Sequence, residues 1–393
     1  MEKKIWQSNL TKNPKDADDY YIKRVDAIIE NAVYRRASDI HLEPFSVDRM
    51  RIRYRIDGKL CVVEEEPYQF FDRLITRIKI LSKLNITESR LPQDGAFQHC
   101  FGEKRIDIRV STMPTEYGEN LVLRLLGCMD GLNTLSGIGM LGEDQQRLQR
   151  MLTHQSGLIL FNGMTGSGKT TTLYAVMSQL NDSGVHMLSI EDPVEMNIPG
   201  VTQIPVNPEI GLTIHEVLKS VLRQDPDIIC VGEIRDDAVA MTAVRAALTG
   251  HLVLATLHTM DAWSSRERLL DMGVPEYLIR AVLRGAVSQR LLRRLCPHCK
   301  EAYLASEKEC HYLKGKGPLS LYRAKGCACC GGSGYLGRIG IFELLVIDPS
   351  FWKIGEDCQG GVPGGQGILR KAARSLIIQG VTSLEEGVRC IAG

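Results

Sequence analysis

No uninterrupted apolar run in this 393-residue sequence approaches the roughly 20 residues that a membrane-spanning helix needs. The N-terminal stretch MEKKIWQSNLTKNPKDADD lacks the apolar core of a signal peptide. A cytoplasmic location, or one peripheral to a membrane, is expected. There is also no excess of charge: 48 Lys and Arg face 47 Asp and Glu, and the net +1 supplies no overall field for holding a polyanion. Aromatic residues are only 6%, which leaves few stacking platforms for single-stranded nucleic acid. No internal repeat stands out, and the one low-complexity tract is GEDCQGGVPGGQG, Gly355 to Gly367, expected to be a flexible loop. What the chain does have is a 44% hydrophobic content, enough for two or three domains with substantial cores.

Residues 1–18 are polar and are expected to fray, after which Ile22, Val25, Ile29, Ala32 and Val33 recur at helical spacing. In MRIRYRIDGKL, Met50, Ile52, Tyr54 and Ile56 alternate with Arg51, Arg53 and Arg55 before Asp57-Gly58, which predicts a half-buried strand entering a hairpin. Leu74, Ile75, Ile78, Leu81 and Leu84 mark an amphipathic helix, and KRIDIRVST and NLVLRLL return to strand character. Residues 19–127 therefore read as an α+β domain, and the Gly-containing residues 128–140 as a linker that lets two domains move. From 141 to 393 the order is helix, strand 158–162, helix, strand HMLSI, helix 213–223, strand DIICVGEI, helix, strand LVLATLH, then more helices. Strands that alternate with helices and read as continuous apolar runs predict a largely parallel sheet covered on both faces, with the site at the strands' carboxyl ends.

The most informative stretch is LILFNGMTGSGKTTTLY, Leu158 to Tyr174, in which an apolar strand runs into Gly-x-x-x-x-Gly-Lys-Thr, Gly163 to Thr170, and then into a helical pattern. Gly163, Gly166 and Gly168 let successive N–H groups turn inward around phosphates, Lys169 reaches the terminal phosphates and Thr170 offers a hydroxyl to Mg²⁺. Thr165, Ser167 and Thr171 complete the residues expected to touch ATP. DIICVGEIRD puts Glu233 just past a buried strand, where an acid can hold Mg²⁺ through water, with Asp225 and Asp227 at the strand's entry. SIEDPVE ends another strand with Glu191, Asp192 and Glu195, acids that repel one another unless a metal, an arginine or a proton compensates them; Glu191 is expected to polarise the attacking water. In TGHLVLATLHT, His251 and His258 bracket a strand, and His258, at its carboxyl end, is the better placed to sense nucleotide state.

An arginine that meets the γ-phosphate can contribute on the order of 10³ to 10⁵ in rate. The candidates are Arg109, opposite the Ile106, Ile108, Val110 face of its strand, Arg124 on the next strand, and Arg223 and Arg235 flanking DIICVGEI. Twelve cysteines in a chain without an export signal point to metal rather than disulfides. Cys296, Cys299, Cys327 and Cys330 form C-x2-C, 27 residues, C-x2-C, the spacing of a closed structural Zn²⁺ site within a module at 291–340, with Cys329 a possible competitor as ligand. Such a site stabilises its fold by roughly 10 to 16 kcal/mol of apparent binding energy.

Taken in order, RASDIHLEP, RYRIDG, RLPQDGAF, DIRVSTMPTEYGENLVLRLL, the P-loop, EDPVE, LRQDPDIICVGEIRD, TGHLVLATLHT and CACCGGSGYLGRIGIFELL resemble the successive signatures of the ATPases that drive type II secretion and type IV pilus assembly, over about residues 20 to 393. The resemblance implies an α/β fold: a PAS-like N-terminal α+β domain joined flexibly to a RecA-like P-loop NTPase motor, in a homo-hexamer with ATP between the two domains. It carries Arg109, Arg124 and Arg223 onto nucleotide-reaching positions, and Glu191, Glu233 and His258 onto the acidic and histidine boxes. It also implies an inner-membrane platform protein as partner, and the tetracysteine motif favours assembly over retraction. Lys219 stands where the family often has arginine, and its ammonium makes no bidentate fork. Ala96 replaces a commonly basic residue, and the resemblance starts without the extra N-terminal docking domain of many relatives. Two other readings are a nucleotide-gated scaffold with little turnover, which the complete acid and histidine boxes oppose, and a nucleic-acid motor, which the charge and aromatic content oppose.

Overall fold

The computed structural model describes residues 14–101, 104–127, 134–140, 142–314, 317–347 and 366–392. The chain divides into two compact units, Met1–Asp130 and Gly131–Gly393. The first opens with helix α1 (Pro14–Tyr34) and continues through strands β1 (Ala37–Pro44), β2 (Arg49–Ile56) and β3 (Lys59–Pro67), helix α2 (Phe71–Leu81), and strands β4 (Gln93–Phe101), β5 (Lys104–Thr115) and β6 (Gly118–Leu126). The strands form an antiparallel sheet in the order β3-β2-β1-β6-β5-β4. The alternation in β2 has the expected outcome: Met50, Ile52 and Tyr54 are buried, and Tyr54 Oη donates to the Ile28 carbonyl of α1 at 2.8 Å. Asp57 and Gly58 both take positive φ, 50° and 83°, as a two-residue hairpin turn requires. The helices cover one sheet face through Val25, Ile29, Leu74, Ile75 and Ile78, packed on Ile40, Leu42, Ile108, Val110 and Leu123.

The opposite face of that sheet is charged. Glu43 on β1 accepts from Arg51 Nε at 2.8 Å and from Arg53 Nη2 at 2.5 Å, and these guanidiniums hold its carboxyl below the usual range although burial acts in the other direction. Asp39, also on β1, accepts from Arg124 Nε at 2.9 Å, and Arg124 stands directly across from Arg109 on β5.

The second unit contains helix α3 (Glu143–Leu152), β7 (Gly157–Asn162), α4 (Lys169–Leu180), β8 (Met187–Glu191), β9 (Thr202–Pro205), α5 (Ile214–Val221), β10 (Ile228–Val231), α6 (Asp237–Leu248), β11 (Leu252–Leu257), α7 (Ser264–Asp271), α8 (Glu276–Val282), β12 (Leu283–Leu295), β13 (Glu301–Leu304), α9 (Glu307–Tyr312), β14 (Ser320–Arg323), β15 (Tyr335–Val346), α10 (Gln366–Ile378) and α11 (Leu384–Ala392). Its main sheet has the order β15-β12-β7-β11-β10-β8-β9, parallel throughout except for the β12–β15 pair. One face packs on α5, α6 and α8, the other on α3 and α4, so the central strands are buried on both sides.

Two features depart from the sequence reading. Where more helices were expected after β11, the chain also forms the 13-residue strand β12 and its partner β15. Two of the four arginines that obscure alternation in LRGAVSQRLLRRL are taken up by the C-terminal helix: Arg293 pairs with buried Glu386 at 2.7 Å, and Arg290 donates to the Cys390 carbonyl. The other departure concerns the expected linker. Residues 128–133 lie outside the described residues, but 134–140 are anchored, with Leu135, Ile138 and Met140 buried in the α3–α4 core and the Met140 carbonyl accepting from Gln145 Nε2 at 2.6 Å. The glycine-rich tract falls almost wholly outside the described residues, and only Gln366 and Gly367 are seen, opening α10. The polar tail also falls partly outside them, α1 beginning at Pro14. Among the described residues no helix is long and apolar enough to cross a membrane.

Candidate functional site

Four neighbouring parallel strands deliver the predicted residues to one end of the second unit. β7 runs into the P-loop, β8 ends on Glu191, β10 leads to Glu233 and β11 to His258. The loop closes tightly on itself. At Gly163, where φ is +146°, a side-chain Cβ would sit 2.4 Å from Ser167 Oγ and 2.8 Å from the Gln289 carbonyl; at Gly168, φ +90°, it would sit 2.6 Å from Gln289 Nε2. Only glycine fits either place, so no side chain fills the turn ahead of α4, where a helix N-terminus favours an anion. Thr172 Oγ1 donates to Gln289 Oε1, fixing from β12 the side chain that supports the loop. Ser167 Oγ is buried without a protein partner, and Thr165 and Gly166 at the loop's tip are exposed. These features fit a polyphosphate chain: a cradle without side-chain bulk and a buried hydroxyl left to bond it.

Lys169 is buried, and its ammonium donates to the carbonyls of Gly163 at 2.6 Å and Met164 at 3.3 Å. Burial lowers its pKa, while the negative charge of Glu233 pulls the other way. Glu233 is held from both sides, with His258 Nε2 2.9 Å from Oε1 and Arg235 Nε donating to Oε2 at 2.8 Å; Arg235 Nη1 also reaches Asp192 at 3.2 Å. Thr170 and Thr171 open α4 beside Lys169 and are half-buried.

The compensation that the cluster of acids demands is thus divided between two devices. Arg235 bridges Asp192 and Glu233 and offsets part of their charge. Glu191 is buried and hydrogen-bonded on both oxygens, accepting from Ser189 Oγ at 2.6 Å, Gln203 Nε2 at 3.0 Å and the Tyr174 hydroxyl. Tyr174 Oη in turn accepts the N–H groups of Glu195 and Met196 at 3.1 and 3.3 Å, and burial together with the Glu191 carboxylate raises its pKa. Tyr174, Gln203 and Gln289 went unread in the sequence, which carries no local signal for a contact made across helices and strands, and Ser189, two residues before Glu191 on the same strand face, was passed over.

Two residues of the second unit lie at the other end of its sheet. Arg223 follows α5 at the entry of β10, the amino end of the sheet, where its guanidinium donates to the Lys219 carbonyl and Ser220 Oγ at 3.0 and 3.2 Å. The strand's direction therefore separates Arg223 from the P-loop of its own chain. His251, at the amino end of β11, is bonded to the Ala246 carbonyl at 2.9 Å and caps α6, which leaves His258 alone of the pair at the carboxyl ends. Arg109 and Arg124 belong to the first unit, on its charged face.

The four predicted cysteines converge, with every pair of sulfurs within 4.8 Å. The Cys296–Cys327 and Cys299–Cys330 separations are 3.8 Å and Cys327–Cys330 is 3.7 Å. A tetrahedron with bonds of about 2.3 Å has edges of about 3.8 Å, so the set fits Zn²⁺. Backbone N–H groups of Cys327 and Gly334 donate to Cys330 Sγ at 3.2 and 3.1 Å, as suits a thiolate, whereas Cys329 is exposed and outside the cluster.

Residues 15–389 match the sequence model of the family described as Type II/IV secretion system protein. The chain is 42% identical to the type II secretion system ATPase E of Vibrio cholerae over 377 residues, covering 94% of this chain and 75% of that one. It has the same identity and coverage with the type II secretion system protein E of Pseudomonas aeruginosa. Among solved structures it is similar to the Legionella pneumophila ATPase DotB, TM-score 0.68 at 21% identity, covering 94% of this chain and 96% of that one. It is also similar to the pilus retraction motor PilT with bound ADP, TM-score 0.62 at 24% identity, covering 93% and 96%. These structural likenesses show the fold, a RecA-like α/β unit preceded by a smaller α+β unit. With this family match and relatives of this similarity over nearly its whole length, the chain belongs to the type II/IV secretion system protein family.

Proposed function

We propose that the chain is a Mg²⁺-dependent ATP hydrolase that works as a homo-hexameric motor, peripheral at the cytoplasmic face of the inner membrane, powering assembly of pilin or pseudopilin fibres in type II secretion or type IV pilus biogenesis. The observation that carries this reading is the glycine cradle of Gly163–Thr170 with buried Lys169, set beside Glu233 and its His258 contact.

The loop amides and Lys169 bind the phosphate chain, Lys169 exchanging the Gly163 and Met164 carbonyls for phosphate oxygens. Thr170 and, through water, Glu233 are the residues that would hold Mg²⁺, which when bound neutralises charge on the β- and γ-phosphates. Glu233 is part-exposed and takes that place while bonded to His258 and Arg235, and Glu191 orients the attacking water by giving up the Tyr174 hydroxyl. His258, tied to Glu233, reports the presence of the terminal phosphate. Arg109 and Arg124 bring positive charge to the transferred group as the first unit closes, and this closure is the mechanical output. Arg223, remote from its own P-loop, acts on a neighbouring subunit's site, which makes the ring part of the catalyst. Cys296, Cys299, Cys327 and Cys330 hold Zn²⁺ as a structural crosslink. An inner-membrane platform protein receives the motion.

Steady-state phosphate release from the full chain tests the assignment: Lys169→Ala and Glu233→Gln abolish turnover while leaving the circular-dichroism spectrum unchanged. Parental turnover in either variant removes the hydrolase.

A further inference from the structure

The sheet of the second unit has a polar row buried where its neighbours are apolar. Leu160, Ala286 and Leu345 lie side by side on β7, β12 and β15, and two residues further toward the P-loop end the same face carries Asn162, Ser288 and Glu343. Their exposures are 0%, 0% and 1%. A carboxyl group so deeply placed is costly unless its hydrogen bonds are specific.

All three side chains reach one stretch of chain, the turn from His258 to Ser265 that follows β11. Glu343 Oε2 accepts the Ala262 N–H at 3.3 Å, and Ser288 Oγ donates to the Met260 carbonyl at 3.3 Å. Asn162 Nδ2 donates to Ser265 Oγ at 2.6 Å, which itself donates to the Ala262 carbonyl at 2.8 Å. Within the turn, Thr259 Oγ1 donates to the Asp261 carbonyl at 3.0 Å, and Asp261 Oδ1 accepts from the N–H and Oγ of Ser264 at 2.8 and 2.7 Å. The turn is thereby stiff and bolted to three strands, one of which continues directly into Gly163. Its first residue is His258, 2.9 Å from Glu233.

We infer that Glu343, assisted by Ser288 and Asn162, is a positioning residue: by holding the Met260–Ala262 backbone against the P-loop strand it sets where the His258 imidazole stands relative to Glu233. Glu343 acts through the turn and not on the reacting atoms. The inference rests on the reading of the site as an ATP hydrolase in which His258 takes part.

A double-mutant cycle on the full chain, read as kcat and KM for ATP, tests it. Glu343→Leu lowers kcat on the order of 10- to 100-fold, the cost of a catalytic group displaced by about 1 Å, and leaves KM nearly unchanged. Glu343→Gln, which keeps a carbonyl oxygen toward the Ala262 N–H, retains most of the turnover. In a His258→Ala background, Glu343→Leu lowers kcat no further. An equal fold loss in both backgrounds overturns the inference and leaves the hydrolase reading intact. Parental turnover in His258→Ala removes His258 from the mechanism and this inference with it, while Lys169→Ala still reports on the hydrolase. Should Glu343→Leu fail to fold, Ser288→Ala, which deletes only the bond to the Met260 carbonyl, carries the same cycle with the same expectation of non-additivity.

Discussion

Gly163 shows how far a single residue constrains the site. Its backbone lies in a region closed to other residues, and the space a methyl group would take is occupied by Ser167 Oγ and the Gln289 carbonyl. Gly163→Ala is therefore expected to force the loop open at its first turn and to weaken nucleotide binding by at least about tenfold, at a strain cost of about 1–3 kcal/mol. Isothermal titration with a nonhydrolysable ATP analogue measures this, and affinity equal to the parent's contradicts it. The glycines, Lys169, Glu233 and His258 were legible in the sequence because each is fixed by its distance from the end of a strand. The partners of Glu191 were not, since Tyr174 and Gln203 reach it from α4 and β9. The positions of Arg223 and His251 follow from strand polarity: a residue that precedes a parallel strand lies at the end of the sheet away from the P-loop.

Among the elements, β12 is the strand that sequence patterning missed, and it and the C-terminal helix α11 depend on each other. Arg293 on β12 donates to Glu386 at 2.7 and 3.0 Å and stacks 3.9 Å over the Tyr335 ring, while Arg389 reaches the same carboxylate at 2.7 Å. Burial disfavours the charge on Glu386, but the two guanidiniums outweigh it and hold its pKa below the ordinary value. With the folded-state value depressed, the stabilisation is complete above the unfolded value of about 4.3 and is lost as pH falls through the folded-state value. Glu386→Gln is expected to cost about 3 kcal/mol at pH 7, because it leaves Arg293 poorly compensated. In urea melts the gap between variant and parent stays constant from pH 7 to about 5 and narrows as pH is lowered below about 4. A gap independent of pH assigns the loss to packing instead.

For the whole molecule, two properties follow from arrangements no single element contains. The tetracysteine cluster joins the end of β12 to the segment before β15, so zinc analysis is expected to find about one ion per chain, and Cys296→Ser with Cys327→Ser to lose it and lower the melting temperature. Stoichiometric zinc in the double variant places the ion elsewhere. The separation of Arg223 from its own P-loop makes a second test. Arg223→Ala and Lys169→Ala, each inactive alone, regain part of the turnover when mixed, since a Lys169→Ala subunit still presents Arg223 to its neighbour's intact P-loop. Mixtures as inactive as their components place Arg223 outside catalysis.

The sequence alone determined the tight glycine loop after β7, the strand-end acid and histidine, the zinc-type cysteine spacing and the α/β class of the larger unit. All of these depend on short spacings along one strand, turn or helix, where a few residues dictate the backbone. Only the tertiary structure decided that residues 134–140 join the α3–α4 core, that the arginines of β12 belong to a buried strand, and that Glu343, Ser288 and Asn162 grip the His258 turn. Those outcomes rest on contacts between residues far apart in the chain, such as Asn162 with Ser265, 103 positions away, and Arg293 with Glu386, 93 positions away. Hydrogen bonds and ion pairs of that range exist only once the sheet has set its strand order, and no local pattern encodes them.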